Sequence, residues 1–506
     1  MWVEADGDCL IALPRDDQSA QAGHADAVTP LVGETAARAL AATIGTALTA
    51  DRDTAADEVG LASLLGARRL EDLTPQRTWI QRPPQEFLQV PLGVGDDGRP
   101  VILDLKESAQ SGMGPHGLIV GATGSGKSEL LRSLVLALCV THHPDRLNVV
   151  MVDFKGGATF AELADLPHSA GLITNLQDDL DLVDRAREAL FGELRRRQEL
   201  LKQAGNLPNV TEYNARRDAG QPLAPLPSLL VIIDEFSELL AAKPDFADLF
   251  VAIGRIGRSI GVHLLLASQK LELGRVRGLE THLSYRVGLR TFSAAESREA
   301  IGSPAAYELP PVPGVGYLKV DTTTFAKFHA PYVGRPYDPD PVGRQPTVRM
   351  SSGLERFTAY NPPTRPASTK PKDLARTPHR WTELRVVVAG LDSVAARAHR
   401  IWLPPLAPVI TLDQVGIPTP VYRSQQASAA PAALTVTLGE VDRPSEQRKE
   451  PLVLDVAGAH GNIAIVGAPQ SGKSLLLRTL VTSLVTRILE KINRAGKDRH
   501  QCWCRR

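Results

Sequence analysis

The chain has 506 residues, and 57 lysine and arginine residues balance 57 aspartate and glutamate residues. A hydrophobic fraction of 43% and a charged fraction of 23% are ordinary for a globular protein, which excludes a mostly disordered or fibrous chain. The zero net charge argues against a general nucleic-acid coat, although a local basic patch stays open. An aromatic content of 5% argues against a surface that stacks successive nucleic-acid bases.

Four cysteines in a chain of this length predict a reduced setting rather than a disulfide framework. Cys502 and Cys504 form a Cys-X-Cys pair without a second pair, so a zinc site is not expected. No apolar run is long enough to cross a membrane, and no basic-then-apolar leader follows Met1. We therefore expect no transmembrane segment, and any attachment to a membrane would depend on a partner.

The segment 1–60 is acidic overall, because its aspartates and glutamates clearly outnumber its arginines, and it shows weak helical patterning. This composition is typical of a solvated segment or of the remainder of a domain. A short helix is predicted over 61–73, and prolines break the chain before a predicted strand at 88–92. We expect residues 1–82 to be an acidic segment or domain remnant.

From residue 100 onwards, strand patterns alternate with helix patterns. This alternation predicts an α/β domain over residues 83–338, with a mainly parallel sheet covered by helices. The predicted strands are mainly apolar, as strands buried on both faces are. The predicted strands are 101–105, 117–120, 147–152, 229–233 and 262–267, and the predicted helices are 127–140, 181–203 and 246–256.

Proline, serine and arginine dominate residues 335–380, which is typical of a linker. Residues 385–415 suggest a small β-rich piece. We therefore expect a proline-rich linker, with that piece inside it, over residues 339–433.

An internal repeat links two distant parts of the chain. Residues 101–105 recur at 452–456, and the glycine-rich segment 121–128 recurs at 467–474. The sequence ends soon after this second segment, at Arg506, and basic residues outnumber acidic ones over 487–506. We therefore expect residues 434–506 to be a truncated second copy with an atypical basic tail, produced by a frameshift, a premature stop or a gene fragment.

The first glycine-rich segment fits the phosphate-loop pattern G-x-x-x-x-G-K-[ST] between a strand and a helix. Its glycines let amide N–H groups turn toward phosphate oxygens, and the next helix presents its positive end to the same anion. Lys127 is expected to neutralise the β- and γ-phosphates, and the Ser128 hydroxyl to ligate Mg²⁺. ATP and Mg²⁺ are therefore the expected ligands. The loop residues are Gly121, Ala122, Thr123, Gly124, Ser125, Gly126, Lys127 and Ser128.

The second loop carries the same pattern, but one helix without a completed sheet buries too little surface to hold it. We expect weak or no nucleotide binding there. The residues of this loop are Gly467, Ala468, Pro469, Gln470, Ser471, Gly472, Lys473 and Ser474.

Two carboxylates end the predicted strand 229–233, well beyond Lys127 in the sequence. Asp234 is expected to hold Mg²⁺ through water, and Glu235 to orient and deprotonate the attacking water. Gln269, at the end of the next apolar strand, is expected to sense the γ-phosphate. Asp153 ends a further strand on the same side, so we expect these strand ends to converge.

Six stretches of the chain extend these motifs into a family pattern, and with them the chain resembles the FtsK/SpoIIIE family of RecA-like motor ATPases. Within that family it looks most like the EccC motors of type VII (ESX) secretion systems. The stretches are 112–117, 152–160, 233–240, 263–269, 284–293 and 307–311.

The resemblance implies a RecA-like P-loop fold, a hexameric ring and ATP-driven export of WXG100-type proteins. It also implies other type VII membrane components as partners and a place on the cytoplasmic side of the cell membrane. Ring ATPases often complete their site with an arginine from the neighbouring subunit. Arg286 and Arg258 are the first candidates for that role, ahead of Arg255, Arg290 and Arg298.

Two other functions stay open at this point. An FtsK-like DNA translocase would share the fold and motifs, although the zero net charge and the lack of a winged-helix reader weigh mildly against DNA. A non-catalytic nucleotide-binding regulator is the second alternative. The complete set of Lys127, Ser128, Asp234 and Glu235 favours hydrolysis in the first domain.

Overall fold

In a computed structural model of the chain, the described residues fall into two units. They are 60–80, 82–157, 159–271, 278, 280–321, 324–337, 381–411, 414, 435–456 and 462–486, together with three strands before residue 60. One unit comprises Met1–Val59 and Pro336–Thr382, and the other Gly60–Arg335 and Glu383–Arg506. In the first unit the three strands form an antiparallel sheet in the order β1-β2-β3. These strands are β1 (Trp2–Asp6), β2 (Cys9–Leu13) and β3 (Gln21–His24).

A ten-stranded sheet forms the centre of the larger unit, in the order β5-β4-β13-β12-β11-β6-β10-β9-β7-β8. The six strands from β11 to β8 run parallel, and the four from β5 to β12 extend the sheet in antiparallel pairs. The strands are β4 (Gln89–Val94), β5 (Pro100–Asp104), β6 (His116–Val120), β7 (Leu147–Asp153), β8 (Ser169–Ile173), β9 (Ser228–Asp234), β10 (Val262–Ser268), β11 (Tyr285–Leu289), β12 (Val315–Lys319) and β13 (Phe325–His329).

Helices cover this sheet, and four of its strands (β6, β7, β9 and β10) are buried at every residue. That burial accounts for their mainly apolar sequences, because a parallel strand packed on both faces has no solvent-exposed side for polar residues. The helices are α1 (Leu61–Leu64), α2 (Pro75–Thr78), α3 (Lys127–Thr141), α4 (Leu180–Gln203), α5 (Val210–Asp218), α6 (Phe236–Ala242), α7 (Phe246–Ile260), α8 (Ala294–Ile301) and α9 (Glu383–Asp392).

The predicted α/β fold with a mainly parallel sheet is confirmed, and each strand and long helix predicted after residue 83 is present. The helix predicted over 61–73 is shorter, consisting of α1 and a 3₁₀ turn at Leu70–Asp72. The strands β8, β11, β12 and β13 were not predicted.

The prediction of a β-rich piece over residues 385–415 is wrong. Residues 383–392 form helix α9, and the described residues 381–411 contain no strand. The apolar residues at helical spacing on one side of α9 are buried, which explains why this segment forms a helix and not a strand. These buried residues are Leu384, Val387, Val388 and Leu391.

The second copy begins with a two-stranded antiparallel hairpin, β14 (Thr435–Arg443) and β15 (Arg448–Asp455). Its pairing is irregular between Thr437 and Gly439, and the pairing of β4 with β5 is irregular at the equivalent positions, between Pro91 and Gly93. The repeat therefore extends to a shared backbone irregularity.

After this hairpin the two copies differ. Residues 462–466 correspond to β6, yet they pair with no strand, and Val466 is 94% exposed whereas Val120 is fully buried. A helix follows at 473–486, at the position of α3. In the described part of the chain, no helix is long and apolar enough to span a membrane.

Candidate nucleotide-binding site

The predicted site residues lie at the carboxyl-terminal edge of the parallel strands. The phosphate loop follows β6, the acidic pair ends β9, and Gln269 follows β10, which lies between β6 and β9. Asp153 at the end of β7 is in register with Asp234. The expected convergence of these strand ends is therefore observed.

Two hydrogen bonds hold the start of the phosphate loop, and close packing constrains its end. The N–H of Gly121 donates to the carbonyl of Ser268, and that of Ala122 donates to the carbonyl of Arg290. Gly126 has a φ of 90°, and a Cβ placed there would lie 2.3 Å from the backbone nitrogen of Gly314. The loop therefore requires glycine at this position for both its dihedral angle and its packing.

Several backbone N–H groups of the loop remain available for a ligand. Among the described residues, no acceptor receives the backbone N–H of Thr123, Gly124, Gly126 or Lys127. The buried hydroxyl of Ser125 likewise has no hydrogen-bond partner. Donors converging in this way at a helix N-terminus fit the phosphates of a nucleotide.

Lys127 makes ion pairs with both predicted acidic residues. Its Nζ lies 2.5 Å from Asp234 Oδ1 and 2.7 Å from Glu235 Oε1. All three side chains are buried. The lysine thus places a positive charge against two adjacent carboxyl groups that are buried inside the protein.

Thr159 lies between the two residues predicted to hold Mg²⁺. Its hydroxyl is 3.2 Å from Asp234 Oδ2 and 3.4 Å from Ser128 Oγ. A hydroxyl and a carboxylate brought together by one residue form an oxygen-rich set of the kind that Mg²⁺ prefers, usually with waters and substrate phosphates. Ser128 and Asp234 therefore fit the role predicted for them.

Glu235 occupies a strained position. Its φ of 55° and ψ of 41° are left-handed values that cost a non-glycine residue about 1–2 kcal/mol. Its Oε1 accepts a hydrogen bond of 2.7 Å from Gln269 Nε2, and the Oε1 of Gln269 accepts one of 2.7 Å from Thr123. Gln269 therefore connects the tip of the phosphate loop to the predicted general base, as a sensor of the γ-phosphate would.

The environment affects the acidity of two carboxyl groups in opposite directions. Burial raises the pKa of Glu235, but the Lys127 ammonium and the hydrogen bonds from Gln269 outweigh it, and the pKa stays below its usual value. Burial and the neighbouring Asp234 raise the pKa of Asp153. Glu235 is therefore ionised at neutral pH, which a general base requires.

The two first-ranked arginine candidates make their side-chain contacts away from the acidic pair in their own chain. Arg286 is in register with Leu118, the middle residue of β6, and it donates to the carbonyl of Glu299 near the end of α8. Arg258 forms an ion pair with Glu107. Their action on a neighbouring subunit stays a prediction.

The second loop has a different set of contacts. Lys473 Nζ donates to the carbonyl oxygens of Gly467 at 2.5 Å and Ala468 at 2.7 Å. Within residues 435–456 and 462–486, no carboxylate approaches this lysine. The lysine therefore binds its own loop rather than an acidic pair.

Sequence reasoning did not assign roles to two residues of the first site, Thr159 and Gly314. Gly314 lies far beyond the loop in the sequence, and its N–H donates to the carbonyl of Ser125. Thr159 belongs to one of the stretches that carry the family resemblance, which was the available signal. No local pattern marks Gly314, because only the sheet brings it to the loop.

A sequence profile of the FtsK/SpoIIIE family matches residues 70–272 and 423–488, just over half of the chain. The chain belongs to the FtsK/SpoIIIE family. The two matched stretches contain the first and the second phosphate loop, respectively. The FtsK/SpoIIIE proteins are P-loop ATPases, so the predicted fold class is confirmed together with the family.

Within the FtsK/SpoIIIE family the chain is similar to EccC proteins, as the resemblance implied. The ESX secretion system protein EccC of Thermomonospora curvata is 50% identical over 440 residues, which are 86% of this chain and 34% of that protein. The solved cytoplasmic domain of the type VII secretion ATPase EccC from that organism has a TM-score of 0.72 and 48% identity, covering 84% of this chain and 45% of that chain.

A third match extends the comparison to fold alone. ATPases 2 and 3 of Thermomonospora curvata EccC, solved in complex with a signal sequence peptide, have a TM-score of 0.51 and 20% identity, covering 81% of this chain and 63% of that chain. The chain spans about a third of the length of the curated relatives that it matches.

Proposed function

We propose that the chain binds and hydrolyses ATP with Mg²⁺ at the first phosphate loop, as part of the motor of a type VII secretion system. One observation carries the proposal: Lys127, Asp234, Glu235 and Gln269 form a continuous set of contacts beside a loop in which several backbone N–H groups have no acceptor among the described residues. Residues 83–338 form the hydrolysing domain, 339–433 link it to a second, and 434–506 begin that second domain.

Each residue of the set has a distinct role. The loop N–H groups and Lys127 bind the phosphates, and Ser128 and Asp234 hold Mg²⁺, which supplies positive charge to the phosphates when bound. Glu235 accepts a proton from the attacking water, a role for which its lowered pKa keeps it ionised. Gln269 holds the Glu235 carboxylate and the Thr123 hydroxyl at a fixed separation.

The partners follow from the similarity to EccC. We propose that the chain acts on the cytoplasmic side of the cell membrane with other type VII components, forms a hexameric ring, and drives export of WXG100-type proteins. The second loop binds nucleotide weakly or not at all, because Lys473 has no acidic pair nearby among the described residues.

Replacement of Glu235 by glutamine tests hydrolysis in the full chain. The Glu235→Gln variant should bind ATP within about threefold of the unaltered chain, but turn it over at least about 100-fold more slowly, as the loss of a general base predicts. Glu212→Gln is the matched control, since Glu212 is a partly exposed residue of α5 paired with Arg216. Equal turnover in Glu235→Gln and the control would reject the assignment.

A binding experiment separates protein export from DNA translocation. The proposal predicts binding of helical-hairpin secretion substrates without appreciable affinity for duplex DNA. Salt-sensitive binding to duplex DNA, with no binding of such substrates, would favour the DNA translocase instead.

A further inference from the structure

The described contacts also indicate where the base of the nucleotide lies, an inference that rests on the proposed nucleotide binding. The groups that face the γ-phosphate are on β9 and β10, at Glu235 and Gln269. These strands lie on one side of β6, and β11, β12 and β13 lie on the other side. A nucleotide whose γ end faces β9 and β10 therefore extends its base toward β11 to β13.

Two segments lie beside the phosphate loop on that side. Because β12 and β13 run antiparallel to each other, the start of β12 and the end of β13 both lie at the phosphate edge of the sheet. Gly314 precedes β12 and donates to Ser125, and its own carbonyl accepts from the N–H of Ala330, just after β13. The chain after β13 is thereby held beside the loop.

Residues 332–334 then pass the first turn of helix α3. The N–H of Gly334 donates to Glu129 Oε2 at 3.1 Å, and Glu129 directly follows Ser128. A Cβ built on Gly334 would lie 3.2 Å from the ring of Tyr332 and 3.1 Å from the Glu129 carboxylate. The Tyr332 ring and the start of α3 therefore lie on the same side of Gly334.

Tyr332 is 57% exposed despite this position, and its ring stacks on no aromatic ring among the described residues. We propose that the Tyr332 ring is the surface on which the nucleotide base stacks. Stacking on an aromatic face accepts any base, because every base has a π-face. Tyr332 therefore adds affinity for nucleoside triphosphates without selecting adenine.

Phe292 is another exposed aromatic residue on this side, at 53%. It follows the end of β11, where the carbonyl of Arg290 accepts the N–H of Ala122 at the beginning of the loop. Its own N–H donates to the Glu296 carboxylate at 3.0 Å. Tyr332 is preferred because its ring and the carboxylate of Glu129, the residue after Ser128, both lie close to Gly334. This places the ring on the helix side of the loop, along which the nucleoside extends away from the phosphates.

Calorimetric titration of the full chain with Mg²⁺ and either ATP, GTP or inorganic tripolyphosphate tests the proposal. The Tyr332→Ala variant should bind ATP and GTP about tenfold more weakly and tripolyphosphate unchanged, while Tyr332→Phe keeps the affinity of the unaltered chain. Phe325→Ala is the control: it removes a ring that is 44% exposed at the other end of β13, away from the loop.

Three outcomes overturn the stacking role. They are unchanged ATP binding in Tyr332→Ala, an equal loss for tripolyphosphate and ATP, and a loss in Phe292→Ala but not in Tyr332→Ala. The second outcome would mean that the ring only supports the loop. If the unaltered chain bound neither ATP nor tripolyphosphate, the proposed nucleotide binding would itself be wrong, and the stacking role with it.

Discussion

Because Gly314 lies so close to the phosphate loop, replacing a loop glycine should lower the free energy of unfolding by a measurable amount. Alanine at Gly126 would adopt a φ of 90° and place its Cβ 2.3 Å from the Gly314 nitrogen. Alanine at Gly124 would adopt a φ of 79° with no atom within 4 Å of its Cβ. The two substitutions therefore share the dihedral strain and differ in the steric clash.

The dihedral strain costs about 1–2 kcal/mol at either position. The clash at Gly126 adds about 1–3 kcal/mol, because the backbone of Gly314 has no rotamer that moves it away. Both variants gain the same benefit of about 0.4–1 kcal/mol from a less flexible unfolded chain, so it cancels in the comparison. Gly126→Ala should consequently be about 1–3 kcal/mol less stable than Gly124→Ala.

Urea unfolding of both variants, followed by far-UV circular dichroism, measures this difference through the shift in midpoint at constant slope. A matching shift in the two variants would refute the reasoning, since it would mean that Gly314 moves away at no cost. A larger loss in Gly124→Ala would refute it as well.

Two further predictions concern the magnesium ligands and the buried histidines. Thr159→Val should raise the Mg²⁺ concentration needed for half-maximal ATPase activity by about tenfold, because the hydroxyl connects Ser128 to Asp234. Thr159→Ser, which keeps the hydroxyl, should need the same Mg²⁺ concentration as the unaltered chain. Equal Mg²⁺ dependence in both variants would count against this. In urea unfolding between about pH 7 and 5, the free energy of unfolding should fall as the pH falls below about 6.5, by about 1.4 kcal/mol per pH unit for each buried histidine. The cause is that histidines of the unfolded chain bind protons that the buried histidines of the folded chain do not. A constant free energy of unfolding over that range would disprove the prediction. Burial is the main cause that lowers the pKa of His116 and His168 to about 3, and of His142 and His263 to about 4.

The strands that carry the site could be predicted because burial on both faces leaves a mainly apolar sequence. The edge strand β8 contains Ser169 and Gly171, and β13 carries the half-buried Lys327, so neither gives that signal. Their pairing depends on neighbours distant in the sequence. Helix α9 was missed for the opposite reason: three consecutive valines favour a strand locally, but burial of its helically spaced apolar face decides the structure.

The site shows the same division between local and distant information. The phosphate loop, the acidic pair and Gln269 were predictable because their motifs are local and end recognisable elements. The contact of Gly314 with Ser125 depends on the antiparallel extension of the sheet, which no local pattern encodes. The position of Tyr332 beside the start of α3 depends on the same extension.

The shared lysine of the site makes two binding events thermodynamically dependent on each other. Lys127 supplies one positive charge to Asp234 and Glu235, which are almost inaccessible to water. An anion that draws the lysine away leaves two buried negative charges without a counterion, which is strongly unfavourable unless a cation arrives with it. Reciprocal linkage then requires that nucleotide and divalent cation each increase the affinity for the other. The need to compensate the charge of the acidic pair thus favours binding of the metal–nucleotide complex over the bare triphosphate.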